Sequence, residues 1–187
     1  MDLDALRQKM LFLGLSDGQL QAVASVVRSK TYRSGEAVVR EGDLDDTLYI
    51  IERGSVEMRV REEGAEEKAV AVYEKGSYVD EAYAGDFFGE FALVDLEAWS
   101  GTIVARERTL LLELKRDDLY ELFSRDIDLQ IGVVLNIARV LSRRLRIRNR
   151  RLTPTDREKT RLAQRTGRRT TSRATRRSSR STPPGAT

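Results

Sequence analysis

Between Tyr32 and Leu114 the chain never holds one hydrophobic period for long. Short β-rich runs are broken by glycines at 35, 42, 54, 64, 76 and 85, and this punctuation constrains the fold more than any other feature. Such runs suit strands joined by tight turns, and a series of them demands a sandwich or a rolled-up antiparallel sheet. The runs read as strands are EAVVRE (36–41), TLYIIER (47–53), SVEMRVR (55–61), KAVAVYE (68–74), SYVDEAY (77–83), GTIVAR (101–106) and TLLLEL (109–114). EKGS (74–77) reads as the tight turn of a hairpin between two of them. Only FFGEFALVDLE (87–97) looks helical in this region, and it is short.

Helices flank the β region. Leu3, Leu6, Met10 and Leu11 sit at helical spacing near the N-terminus. Ser16 with Gln19 makes a capping box for a second helix whose stripe is Leu20, Val23, Ala24 and Val27, so residues 2–28 read as helical. Helix returns at RDDLYELF (116–123) and over 127–152, where Asp126 supplies an N-cap. In that long helix Ile127, Ile131, Val134, Ile137, Ala138, Leu141 and Leu145 recur mostly at threes and fours, widened by Leu129, Val133, Leu135 and Val140. A face this broad predicts packing on the body and also on a second copy, hence a homodimer through residues 127–152. The expected class is α+β. An antiparallel, jelly-roll-like β-roll carries N-terminal helices, a short inner helix and a long C-terminal helix.

The chain of 187 residues has no Cys and no His. Disulfides and thiolate zinc sites are thereby excluded, and the commonest general base and transition-metal ligand are missing. No metal site and no enzymatic constellation is expected. No apolar run approaches the roughly 18 residues that cross a bilayer, so a cytoplasmic, soluble protein is expected. Charge is distributed unevenly: residues 1–138 hold 28 acids and 16 bases, whereas 139–187 hold 2 acids and 17 bases. This reads as an acidic body over 1–138 with a basic arm over 139–187; the domain is expected to run over 1–152, long helix included, and 153–187, rich in Arg, Ser and Thr, to be disordered. The arm suits phosphate backbones, an anionic surface or an acidic protein partner, without sequence preference, and has no aromatic platform for bases. RRTT and RRSS place Thr171 and Ser179 in an Arg-Arg-x-Ser/Thr phosphorylation pattern that an arginine-rich tail also produces by chance.

The helical start, the glycine-punctuated strands and the long closing helix together resemble the cyclic-nucleotide-binding domain family, the sensor half of the catabolite activator protein and of kinase regulatory subunits. LFLGLSDGQLQAV is similar to its opening helices. YRSGEAVVREGDLDDTLYIIERGSVEM is similar to its first strands, with Gly35, Gly42, Asp43 and Gly54 at turn positions. GDFFGEFAL (85–93) resembles its phosphate-binding cassette, and TLLLELKRDDLYELF the last strand and following helix. The resemblance implies a cyclic nucleotide as the ligand class. It assigns Glu90 to the ribose 2′-hydroxyl, Gly89 and Ala92 to backbone contacts, and Ser100 and Thr102 to the surroundings of the phosphate. Family members that regulate transcription carry a winged helix-turn-helix after the long helix. Residues 153–187 lack the periodic apolar positions to pack one, so direct operator recognition is not expected.

One position departs from the pattern. The family's phosphate arginine falls on Trp99, and no Lys or Arg occurs between Lys75 and Arg106 to replace it. An arginine offers a permanent charge and a two-pronged fork, an indole one neutral donor. Losing the partner of a desolvated charge costs about 2–5 kcal/mol, enough to turn a micromolar sensor millimolar. Tight binding of cyclic AMP or cyclic GMP is therefore not expected, and the ligand stays unassigned. Trp99 reads either as a core aromatic filling the vacated space or as a stacking platform for a flat ligand. Glu90 either serves a ligand or caps a local turn. YEKGSYVDEAY looks like an insertion: a longer surface hairpin, or a docking face built on Tyr73, Tyr78 and Tyr83.

Overall fold

In a computed structural model, residues 2–61, 66–76, 79–80, 82–95 and 97–152 are described, the side chains of 151 and 152 excepted. The chain divides after Ile147 into Met1–Ile147 and a second part that begins at Arg148. The first holds the whole β-roll.

Helix α1 (Leu3–Arg7) is capped by Asp2 and followed by a 3-10 turn, Met10–Phe12. Helix α2 (Asp17–Val26) starts on the capping box expected of Ser16 and Gln19, each bonding the other's backbone N–H. The strands are β1 (Arg28–Tyr32), β2 (Ala37–Val39), β3 (Thr47–Arg53), β4 (Ser55–Val60), β5 (Lys68–Glu74), β6 (Phe87–Phe88), β7 (Thr102–Ala105) and β8 (Thr109–Lys115). They form two four-stranded antiparallel sheets, ordered β1-β8-β3-β6 and β2-β7-β4-β5. Helices α3 (Arg116–Arg125) and α4 (Ile127–Leu152) close the chain. Asp126 Oδ1 accepts from Leu129 N at 2.9 Å, the N-cap its position suggested.

The alternation along β3 explains the architecture. Leu48 and Ile50 face a core under the helices, with Leu6, Phe12, Leu20, Phe87 and Val133. Tyr49 and Ile51 face a second core between the sheets, with Tyr32, Val56, Phe88, Trp99, Ile103 and Leu111. A sheet covered on both faces needs unbroken apolar runs, which is why TLYII and TLLLEL lack a polar side. Asn136, buried in α4, donates to the Leu11 and Leu13 carbonyls at 3.0 and 2.9 Å and fastens the long helix to the N-terminal segment. Gly132 makes that approach possible, since a Cβ there would lie 2.9 Å from Leu15 Cδ2.

Three expectations are corrected. The helical region expected over 2–28 ends at Val26, and Arg28 already opens a strand, Arg28–Tyr32, ahead of the β region expected from Tyr32. Phe87–Phe88 is a short strand, and only Glu90–Leu93 turns helically, as a 3-10 turn. Of SYVDEAY, the described residues Val79, Asp80, Ala82 and Tyr83 are not a strand, because Asp80 Oδ1 accepts from Ala82 N and Tyr83 N and closes the backbone into a turn. The return path after β5 is instead made by Ala84 and Gly85, bonded to Val72 O and Glu74 N. Tyr73 belongs to the inter-sheet core, its ring 5.3 Å from Phe88, which removes it from any docking face. Tyr78, Leu96 and the tail 153–187, with Thr171 and Ser179, lie outside the described residues.

Candidate ligand cassette

Residues 85–102 wrap one end of the inter-sheet core. Gly85 turns the chain into Asp86, which is fully buried and accepts from Met10 N at 3.3 Å on Oδ2. Its Oδ1 has no hydrogen-bond partner among the described residues. Burial holds this carboxyl above its ordinary 3.8, opposed by the Met10 N–H and the nearby Lys9 cation. Lys9, itself buried, donates to Ile51 O at 2.7 Å and pairs with Glu52 at 2.8 Å. A raised native value means that folding favours the protonated form. Asp86 therefore contributes stability fully below about pH 3.8 and loses it as pH rises through the native value. Urea unfolding of the parent and Asp86→Asn from pH 3 to 7 is expected to show the parent losing ground steadily against the variant. A gap independent of pH would contradict the assignment.

After β6 the backbone bends at Gly89, φ +81°. A side chain there would be strained and would put Cβ 2.7 Å from Thr47 O and 3.3 Å from Trp99 Cζ2. The 3-10 turn Glu90–Leu93 follows, with Ala92 N donating to Gly89 O at 3.1 Å, and Tyr120 of α3 ties it down through Leu93 O at 2.6 Å. Gly89, Glu90, Ala92 and Trp99 thus come together around one bend. Ser100 is exposed, and Thr102, at the start of β7, accepts from Glu41 N at 3.1 Å.

Trp99 is 3% exposed. Its ring meets Phe91 edge-on at 4.7 Å and Phe88 and Tyr49 at 6.2 and 6.5 Å. Its backbone is bonded both ways to the β2–β3 turn, to Asp43 O and from Gly42 N. The indole Nε1 is buried with no acceptor among the described residues. Trp99 is therefore a core residue pressed against the cassette glycine, without an open face at the surface.

Glu90 has a partner that sequence reasoning assigned only to the basic arm. Arg144 of α4 reaches across and places Nη1 2.5 Å from Glu90 Oε1. Its Nε donates to Ala84 O at 2.7 Å and Nη2 to Phe87 O at 2.6 Å. The guanidinium also lies over the rings of Tyr73 and Phe87, at 5.3 and 5.1 Å. All three nitrogens are engaged and the pair is largely buried, so the long helix is bolted to the cassette through one side chain. The signal was legible: Val133, Ile137, Val140 and Arg144 recur at four, three and four, which puts Arg144 on the inward face.

Residues 29–126, just over half the chain, match the family model described as the cyclic nucleotide-binding domain. The chain belongs to the cyclic nucleotide-binding domain family. It is 32% identical over 136 residues to the cyclic AMP receptor protein of Thermus thermophilus, covering 73% of this chain and 57% of that protein. It is 28% identical to the cAMP-dependent protein kinase regulatory subunit of Schizosaccharomyces pombe, covering 67% of this chain and 30% of that protein. The crystal structure of the Thermus thermophilus catabolite activator protein superposes with a TM-score of 0.63 at 30% identity, covering 77% of this chain and 62% of that one. The chain thus spans well under two thirds of the curated relatives' length. The β-roll is a family feature. Among the described residues no helix is long and apolar enough to cross a membrane.

Proposed function

We propose that this chain is a regulatory module that works by binding and dimerisation, with a cyclic-nucleotide-type cassette that no longer holds cyclic AMP or cyclic GMP tightly. The observation that carries this is Trp99, buried against Gly89 where the family pattern places its phosphate cation. Of the cations near the cassette among the described residues, Arg144 is engaged by Glu90 and two carbonyls, and Lys9 by Ile51 O and Glu52. The residues present do not fit a cyclic phosphate. Isothermal titration at tens of micromolar protein is expected to show no cyclic AMP or cyclic GMP binding tighter than about a millimolar. A dissociation constant near a micromolar would overturn the reading.

Two outputs follow in the same proposal. The exposed stripe of α4 pairs with a second copy, and the Arg144–Glu90 contact relays the state of the cassette to that pair. The basic arm, 139–187, binds polyanions without sequence preference, supported by its 17 bases against 2 acids.

A further inference from the structure

Helix α4 presents three faces of different chemistry. Leu129, Val133, Ile137 and Val140 are buried against the body, while Ile127, Ile131, Val134, Ala138, Leu141 and Leu145 are exposed and apolar. On the third face Arg139, Arg143 and Arg146 follow one another at four and three residues, all exposed. They stand in a row with axial steps of about 6 and 4.5 Å. Among the described residues none of the three makes an ion pair, and Arg139 alone is engaged, donating to Asn136 Oδ1 at 2.8 Å. No acid occurs from 139 to 155, and the sequence adds Arg148, Arg150, Arg151 and ten further Lys and Arg beyond 152.

We propose that this arginine row is a docking surface for the phosphate backbone of duplex nucleic acid, engaged along the side of the helix without reading bases. This sharpens the polyanion reading of the arm and rests on it. Guanidinium forks match phosphate oxygens in pairs, and phosphates of one strand advance only about 3.4 Å along the duplex axis, so three arginines on a rigid rod reach several. No aromatic residue occurs after Phe123. A protein partner would find no aromatic anchor here, and single-stranded bases no stacking platform. A phosphate backbone asks for neither.

The test is fluorescence anisotropy of the full chain on a labelled 24-base-pair duplex of arbitrary sequence, at 50 and 200 mM salt. Each phosphate that the protein no longer neutralises lowers the slope of log affinity against log salt by about 0.9, so Arg139→Gln/Arg143→Gln/Arg146→Gln is expected to flatten it by about 2.7. Over the fourfold rise in salt the parent then loses about 40-fold more affinity than the variant. The corresponding triple Lys variant, which keeps the charges, retains the parent's slope. A chain with the ten bases of 153–187 changed to Gln still binds, with a slope of at least about 2.7, the share of the row's three phosphates. No duplex binding by the parent at 50 mM salt would overturn both the arm's role and the row's. Normal binding with an unaltered slope in the Gln triple variant would overturn the row alone. Tighter binding to phosphatidylserine vesicles than to the duplex would overturn nucleic acid as the partner.

Discussion

Trp99→Ala is expected to unfold roughly 6–20 °C below the parent, the largest stability loss of any single cassette substitution. Truncating a buried Trp to Ala removes its transfer energy and leaves a cavity, together costing about 3–5 kcal/mol. In a chain of this length each kcal/mol moves the midpoint by roughly 2–4 °C. The site has little means of collapsing: the rings of Phe88, Phe91 and Tyr49 contact the indole from three directions, and the backbone of Trp99 is held by Gly42 and Asp43. Trp99→Phe is the informative control. It keeps most of the packing and removes an indole donor that has no acceptor among the described residues. Its cost should stay below about 2 kcal/mol. Trp99→Arg puts a cation where the resemblance places the family's, and millimolar cyclic AMP should raise its melting temperature and not the parent's, since a ligand stabilises in proportion to its binding of the native state. An Ala variant melting within a few degrees of the parent would show that the indole lies loosely, as a platform and not as core.

Trp99 and Arg144 mark where the sequence was legible and where it was not. Strands β3, β4 and β5 stood out because their apolar runs end in turn residues, and the cassette because GDFFGEFAL is a contiguous motif. Strand β1 was hidden: RSKTY buries only Tyr32, so no hydrophobic alternation announces it, and its existence depends on pairing with β8 across some eighty residues of sequence. Strand β6 was hidden by its length, two residues that lean on Tyr49 and Ile50 of β3 and run straight into Gly89. SYVDEAY alternates like a strand, but Asp80 bonds its own neighbours' amides, a local preference that overrides the alternation. Arg144 was counted with the arm because charge was tallied by segment. Helical phase, not composition, decides which arginine of α4 faces inward.

The same phase argument governs dimerisation. The sequence placed Ile137 on the face offered to a second copy, yet Ile137 is 6% exposed and packs into the body with Leu129, Val133 and Val140. Open on this helix are Leu135 and, along one line, Ile127, Ile131, Val134, Ala138, Leu141 and Leu145, which are spaced four, three, four, three, four. The large residues of that set are 42–62% exposed. A strict alternation of three and four is the seam of a two-stranded coiled coil, narrower and more regular than the stripe of a helix lying on a globule. Residues of one copy would meet the same residues of the other across a two-fold axis, so each substitution strikes the interface twice. Val134→Glu with Leu141→Glu removes four apolar side chains from a dimer, each contributing about 1.5–3 kcal/mol when fully buried. Even half of that sum weakens association by roughly two to four powers of ten, before the repulsion of four carboxylates is added. Neither residue belongs to the buried core, so the variant should keep the parent's thermal transition at low concentration while sedimenting at half its mass. The expected result for the full chain at tens of micromolar is twice the monomer mass, falling to one monomer in the double variant. Val133→Glu, one residue away but fully buried, should instead unfold the body. A parent that sediments as a monomer, or a double variant that remains dimeric, would remove the seam from the mechanism and leave the Arg144–Glu90 contact with nothing to relay to.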